Sequence, residues 1–341
     1  MKHRSPFALA LLGTVLLMAM VFALGVGAIA MSPGEVLQSL WGQGSSQVKS
    51  TVLLQVRLPR VLLAALVGGA LGVAGALMQA LFRNPLADPG LVGISAGAAL
   101  GAVGFIVLGS QLAGSFPAAW IRWALPVAAF AAAAATTLLV VRLAHHQGRL
   151  DVTHLLLCGI AVNALAGAGI GLLTFLATDE QLRMLTFWSL GSLAAATWAG
   201  VSALSAALLV TLMLSGRTLH RQLDALLLGE AEAGHLGLDV IRLKRRIVLM
   251  TAILAGVAVS MAGIIGFVGL VAPHIARLMV GAGHRRLLPL AATTGALLLV
   301  LADTAARTIA VPAEFPLGVL TGLLGAPFFL WLLKRPFGAT A

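Results

Sequence analysis

Long apolar runs separated by short polar breaks fill this chain, and strand-like alternation of apolar and polar positions is absent. A helix needs about 20 apolar residues to cross a bilayer. On that measure spans fall near residues 6–31, 58–82, 91–109, 118–142, 153–176, 189–214, 247–265, 267–282, 287–307 and 316–333. The seventh and eighth meet in residues 261–280, an apolar stretch broken only by Gly263, Gly266, Gly269 and Pro273, and reading it as one helix leaves nine spans. The sharpest break is RNPLADPG at residues 83–90. Neither of its prolines can donate a backbone hydrogen bond, and each disfavours helix in the residue before it. One span therefore stops near Phe82 and the next starts near Leu91, with Arg83 anchoring the helix end and Asn84 and Asp88 capping nearby backbone groups.

Composition turns this pattern into a fold class. Hydrophobic residues make up 60% of the 341 positions and charged residues 10%, with a mean hydropathy of +1.03. That is an integral membrane protein, and since every backbone polar group must be satisfied within lipid, the runs become a helical bundle. The expectation is an all-α, polytopic, single transmembrane domain over residues 1–341. The amino end, Met1-Lys2-His3-Arg4 followed by about 25 apolar residues, is too long for a secretory signal core and reads as a retained first helix. Cys158 is the one cysteine, which rules out an internal disulfide or a cysteine metal cluster.

The net charge of +11 does not point to nucleic acid, because the basic residues sit in short loops between spans. With ten spans and the amino end inside, Lys2, Arg4, Arg83, Arg142, Arg149, Arg217, Arg221, Arg242, Lys244, Arg245, Arg246, Arg277, Arg285, Arg286, Lys334 and Arg335 lie inside. Only Lys49, Arg57, Arg60, Arg122, Arg183 and Arg307 lie outside, so the even count with both termini cytoplasmic is favoured. Small residues at Gly68-x3-Gly72, Gly93-x3-Gly97-x3-Gly101, Gly167-x3-Gly171 and Gly318-x3-Gly322 predict close helix contacts. Gln79, Asn163 and Asp303 are costly in lipid and should face protein or a wet path, with Asp303 four residues before Arg307 at ion-pair spacing.

The longest polar stretch, residues 217–246, is more than a loop. Leu223, Leu226 and Leu227 with Glu230 and Glu232 give an amphipathic pattern, punctuated by Gly234 and Gly237, that predicts two short glycine-joined helices on the cytoplasmic face. Such an element suits docking of a cytoplasmic partner. No catalytic residue stands out: there is no H-E-x-x-H cluster, no nucleophile with its base, and no G-x-x-x-x-G-K-[ST] loop for ATP. An ion-coupled secondary transporter is the alternative of another class, but it would bury ionisable groups near midplane, and almost none are found there.

Three stretches, residues 57–102, the LLLGEAEAGHLGL segment and GIIGFVGLVAPHIARLMVGAGHRRLLP, together resemble the FecCD family, the permease subunits of ABC importers for iron-siderophores, haem and vitamin B12. The resemblance runs from about Arg57 to Lys334. It implies a ten-helix permease in the bacterial inner membrane that pairs with a second copy, two cytoplasmic ATPase subunits and a periplasmic binding protein. ATP and magnesium would belong to the ATPase, and this chain would hold no cofactor or metal. The resemblance also implies ATPase coupling through Leu228, Gly229, Glu230, Gly234, Leu236 and Gly237. Arginines matching Arg57, Arg60 and Arg307 would dock acidic residues of the binding protein, as guanidinium geometry allows. Val152 and Thr153, in the turn before the fifth span, would form the cytoplasmic gate, with Val152 departing from the family's small polar residue. Residues 177–193 are most similar to haem permeases, with Phe187 and Trp188 offering aromatic surface at the outer mouth; ferric siderophore and cobalamin are the alternative cargoes. The eight histidines supply no convincing iron ligand set, and His274 reads as structural.

Overall fold

The computed structural model describes residues 4–27, 29–42, 46–109, 117–146, 149–311 and 313–334. Its elements in chain order are α1 (Arg4–Gly25), α2 (Pro33–Leu40), α3 (Gln47–Thr51), α4 (Leu58–Phe82), α5 (Ile94–Leu108), α6 (Ala118–Leu143), α7 (Val152–Leu176), α8 (Asp179–Ser189), α9 (Trp198–Ser215), α10 (Leu219–Leu228), α11 (Glu230–His235), α12 (Val240–Ala262), α13 (Val268–Val280), α14 (His284–Ile309) and α15 (Leu317–Leu333). Between α6 and α7 two two-residue strands, β1 (His145–His146) and β2 (Arg149–Leu150), form an antiparallel ladder. Among the described residues, seven helices are long and apolar enough to cross a membrane; α5, α13 and α15 are apolar but shorter. Each of the ten expected stretches overlaps one of these apolar helices. We call the end of the bundle that gathers the basic loops the basic end.

Helix α4 is the axis. A π-helical stretch, Val52–Arg57, joins α3 to α4, so 36 residues from Gln47 to Phe82 run without a break and 78% of their apolar window is buried, against 22% for α6 and α7. Gly68, Gly72 and Gly75 put the α4 backbone directly on α14 and α13: a Cβ at these positions would fall on the carbonyls of Gly295, Ala291 and Gly269. In lipid, where apolar side chains gain nothing by leaving their surroundings, such close approach maximises van der Waals contact. Not every small-residue stripe is used this way. Gly97 and Gly101 pack on α6, while Gly167, Gly171 and Gly322 face open space.

Several boundaries differ from those expected. The first span ends at Gly25 instead of residue 31, because a turn leads into α2, whose N-cap Ser32 forms a capping box with Glu35. The second reaches back eleven residues beyond Leu58, to Gln47, through the π stretch and α3. The sixth starts at Trp198, capped by Thr197; Ser189 is the last residue of α8, and residues 190–197 form the connection, with Gly191 turning the chain at φ +72. The seventh starts at Val240, so Arg242, Lys244, Arg245 and Arg246 lie on a helix and not in a loop.

Two turns carry the fold. At residues 83–90, Arg83 closes α4 in the left-handed region (φ 48), Asn84 Oδ1 accepts from the Leu86 amide at 2.9 Å, and Asp88 Oδ1 accepts from the Gly90 amide at 2.8 Å. A 3-10 turn, Pro89–Val92, then delays α5 to Ile94. The second turn splits α12 from α13: Gly263 sits at φ +70 and Phe267 at φ +66. The Ala262 carbonyl at its start accepts from the Ser192 amide, and the neighbouring residues 190–191 accept the Leu317 and Gly318 amides. Irregular backbone at this depth survives only when other protein segments pair with it. Phe267 Cβ lies where Gly325 of α15 leaves room for it.

The glycine contacts give opposite outcomes for one substitution. Gly75→Ala drives a methyl into the Gly269 carbonyl and should destabilise by about 1–3 kcal/mol or more. Gly13→Ala in α1, with nothing within 4 Å of the new Cβ, should be neutral or stabilise by about 0.4–1 kcal/mol. Thermal unfolding in detergent measures both; equal shifts would contradict the packing account.

Candidate functional site

Away from the basic end, the three outer arginines expected to meet a partner are among the most buried cations described. Arg57 is 5% and Arg60 8% exposed. Arg57 donates to the carbonyls of Leu24 (2.8 Å), Gly25 and Ile29, closing the chain end of α1. The Arg60 guanidinium is a fork between two carboxylates: Nε and Nη2 reach Asp303 at 2.9–3.1 Å, and Nη1 and Nη2 reach Glu314 at 2.6 and 3.0 Å. Arg307 donates to the Ala23 carbonyl and lies 3.9 Å from Asp303. The expected Asp303–Arg307 pair is therefore the looser one, and Arg60 on α4 is the stronger partner of Asp303. Two carboxylates pair with Arg60 and, more loosely, Arg307, while Arg57 is satisfied by main-chain carbonyls, so the cluster keeps a net positive charge. Glu314, 40% exposed at its side chain, is the one acidic member that reaches the surface.

Phe187 and Trp188 lie on α8 and line a cavity of about 670 Å³ with Trp123, Met184, Met261 and Gly263. The walls are mostly apolar. No group of three histidine, cysteine, aspartate or glutamate side chains that could hold a metal ion occurs among the described residues.

At the basic end, the polar segment folds as two short helices, α10 and α11, hinged at Gly229 with φ +124. Gly237 is likewise left-handed at φ +80, and its amide closes a turn on Gly234. Leucines divide by face: Leu219, Leu223 and Leu226 are buried, whereas Leu228 and Leu236 are 68% and 64% exposed. The pair is pinned to the bundle from beneath. Asp224 Oδ1 accepts from the His284 amide at 2.8 Å and faces its Nδ1 at 2.7 Å, tying α10 to the start of α14. Lys244 Nζ on α12 donates to Glu230 of α11 at 2.5 Å and to the Leu150 carbonyl at 2.8 Å.

Leu150 ends β2, and the next residue, Asp151, caps α7 by accepting from the His154 amide at 2.8 Å. That hydrogen bond, with the His154 ring, holds the Asp151 carboxyl below the usual carboxylate range, so the cap stays ionised. Val152 and Thr153 form the first turn of α7 immediately beside it. Deeper, Gln79 links α4 to α13 through the Leu270 carbonyl and Arg277, and Asn163 of α7 donates to the Gly90 carbonyl. Sequence reasoning brought forward Glu230 and the gate turn separately but missed Lys244, Asp224 and Glu314. Lys244 was hidden in a basic run that charge topology alone accounts for, and Glu314 carries no local pattern at all.

The architecture has close counterparts. The FecCD transport family pattern matches residues 15–335. The chain is 46% identical over 328 residues to the hemin transport system permease protein HmuU of Yersinia pestis, covering 95% of each. It is 40% identical over 327 residues to the vitamin B12 import system permease protein BtuC of Vibrio cholerae, covering 95% of this chain and 92% of that one. Among solved structures, a metal-chelate type ABC transporter in an inward-facing conformation superposes with a TM-score of 0.84 at 32% identity, over 96% of this chain and 99% of that one. A bundle built around α4, with a hinged helix pair at its basic end and a match along nearly its whole length, is an ABC transporter permease, and this chain belongs to the FecCD transport family.

Proposed function

We propose that the protein is the membrane-spanning subunit of an ATP-driven importer in the bacterial inner membrane, working as a pair of identical chains. The observation that carries this reading is the α10–α11 pair: a polar, glycine-hinged element fixed to the bundle from below, with Leu228 and Leu236 exposed on its free side. Exposed leucines on a charged surface suit a protein partner. Here that partner is a cytoplasmic ATPase, which supplies the ATP and magnesium. Its two copies close on ATP and move the helix pair, switching the path between the permeases from outward to inward access.

Topology follows the charge. All ten apolar helices cross, the short α5, α13 and α15 being extended by their ordered turns, and both termini lie in the cytoplasm. The second copy packs on α7 and α15, where a Cβ on Gly167, Gly171 or Gly322 would meet nothing within 4 Å among the described residues and Leu165, Leu172 and Phe175 are exposed. On the outer face a binding protein docks beside the arginine cluster. Since Arg60 is already forked between Asp303 and Glu314, a partner carboxylate engages it by displacing the half-exposed Glu314.

Haem is the cargo this reading favours. The hemin permease relative is more similar than the vitamin B12 relatives compared with it, and the cavity beside Phe187 and Trp188 offers flat aromatic surface. Cobalamin is the second reading, supported by those B12 relatives; a ferric siderophore is the third. Release to the cytoplasm needs no chemistry, and a shallow apolar path serves it better than an iron-ligating one.

Three outcomes test these assignments. Leu228→Asp with Leu236→Asp should weaken co-purification of the ATPase at least about tenfold, equivalent to about 1.4 kcal/mol, without changing the melting temperature of the permease. Glu314→Gln should strengthen binding-protein docking at low salt, and the gain should shrink as ionic strength rises; surface plasmon resonance on nanodisc-held permease reads it. In proteoliposomes with the ATPase and binding protein, haem should stimulate ATP hydrolysis more than cobalamin or ferric siderophore, and the reverse order would move the cargo assignment to whichever compound leads.

A further inference from the structure

The run Lys244-Arg245-Arg246 satisfies the positive-inside rule simply by lying at the basic end, and for that purpose three snorkelling side chains would do. The structure gives each one a different task. Successive residues of a helix point about 100° apart, so the three side chains leave α12 in three directions. Lys244, 4% exposed at its side chain, bridges Glu230 on α11 and the carbonyl of Leu150 on β2. Arg245 reaches Nε2 of His145 on β1 at 2.7 Å. The Nδ1 of that imidazole lies 3.0 Å from the Val141 carbonyl; with the ring proton there, Nε2 is the acceptor Arg245 needs. Arg246 donates to the Leu214 carbonyl at the end of α9 and faces Gln222 of α10.

Lys244 is the unusual member. A lysine kept for topology gains nothing by surrendering its hydration, yet this one is buried with two acceptors drawn from two elements distant in sequence. Both strands of the β1–β2 ladder are gripped by neighbouring residues of α12, and that ladder leads straight into Asp151, Val152 and Thr153 at the start of α7. We propose that Lys244 is a positioning residue that transmits motion of the α10–α11 pair to the gate turn. When the partner ATPase shifts α11, Glu230 carries the ammonium with it. The Leu150 carbonyl then follows, and the first turn of α7 is displaced. This inference rests on the reading that α10 and α11 receive the ATPase.

The test uses the whole transporter in proteoliposomes, with haem, cobalamin and a ferric siderophore each supplied in turn on the binding protein. Lys244→Met keeps the stem and removes the ammonium. It should leave ATPase co-purification intact while the amount of cargo moved per ATP hydrolysed falls at least tenfold. Glu230→Gln should lower the same ratio less, and the double variant should be no worse than Lys244→Met alone, since both cut one linkage. Spin labels at Glu232 and Thr153, both exposed, give an independent reading: on addition of ATP their separation should hold in the unaltered protein and broaden when the bridge is cut. If Lys244→Met does not fold, Glu230→Gln, changed at the half-exposed end of the bridge, carries both measurements. Cargo moved per ATP at the unaltered value, or label separations indifferent to the bridge, overturns the proposal. Failure of the docking reading shows separately, as ATPase co-purification unaffected by Leu228→Asp with Leu236→Asp.

Discussion

Everything in this bundle depends on how closely the α4 backbone lies against α14 and α13. Hydrocarbon offers apolar side chains no reason to leave it, so helices associate through contact itself, and contact is densest where side chains are missing. Gly68, Gly72 and Gly75 remove them along one face of α4, while Gly295 and Gly269 do so opposite. Once α4 is fixed, both of its ends are fixed too. Arg60 stands one turn inside one end, held by Asp303 of the same α14 that packs on the glycines. At the other end Gln79 reaches Leu270 and Arg277 on α13, and the insert at residues 83–90 leaves from there. A single packed axis thereby positions the polar chemistry at both surfaces.

Much of this was legible in the chain, because in lipid apolar length and charge asymmetry are themselves structural forces. The ten apolar helices, the break between α12 and α13, the proline-bounded insert with Asn84 and Asp88 as caps, and the glycine-hinged pair α10–α11 all follow from local pattern. The helix starts at Gln47 and Val240 did not, since the residues before Leu58 and the basic opening turns of α12 are polar enough to read as loop. Long-range pairing was illegible for a different reason. Arg60 meets Asp303 and Glu314 across more than 240 residues, and nothing local distinguishes a guanidinium waiting for a partner from one already paired. The glycine stripes show the same limit: Gly68 and Gly167 look alike in sequence, yet one touches a backbone and the other nothing.

Charge has two meanings in this protein, and they coexist on the same residues. Counting basic side chains by loop gives orientation, a property of the whole chain. Following each side chain to its acceptor gives connection, a property of single atoms. Lys244, Arg245 and Arg246 contribute equally to the first and quite differently to the second. The outer cluster makes the corresponding point in reverse. In the proposed topology Arg57, Arg60 and Arg307 run against the orientation rule, and each is held by internal hydrogen bonds, with Glu314 the half-exposed member of their cluster.

The junction of Phe267 with Gly325 has a consequence for how such a sequence can drift. A bulky residue at positive φ is strained, and it persists only where its surroundings leave it no alternative. Here the ring of Phe267 fills the space that a methyl on Gly325 would need. Neither position is free to change first: any side chain at 325 collides with the ring, and loss of the ring opens a gap between α13 and α15. The two residues therefore behave as one inherited character spread over two codons, and a lineage could abandon it only by exchanging both together.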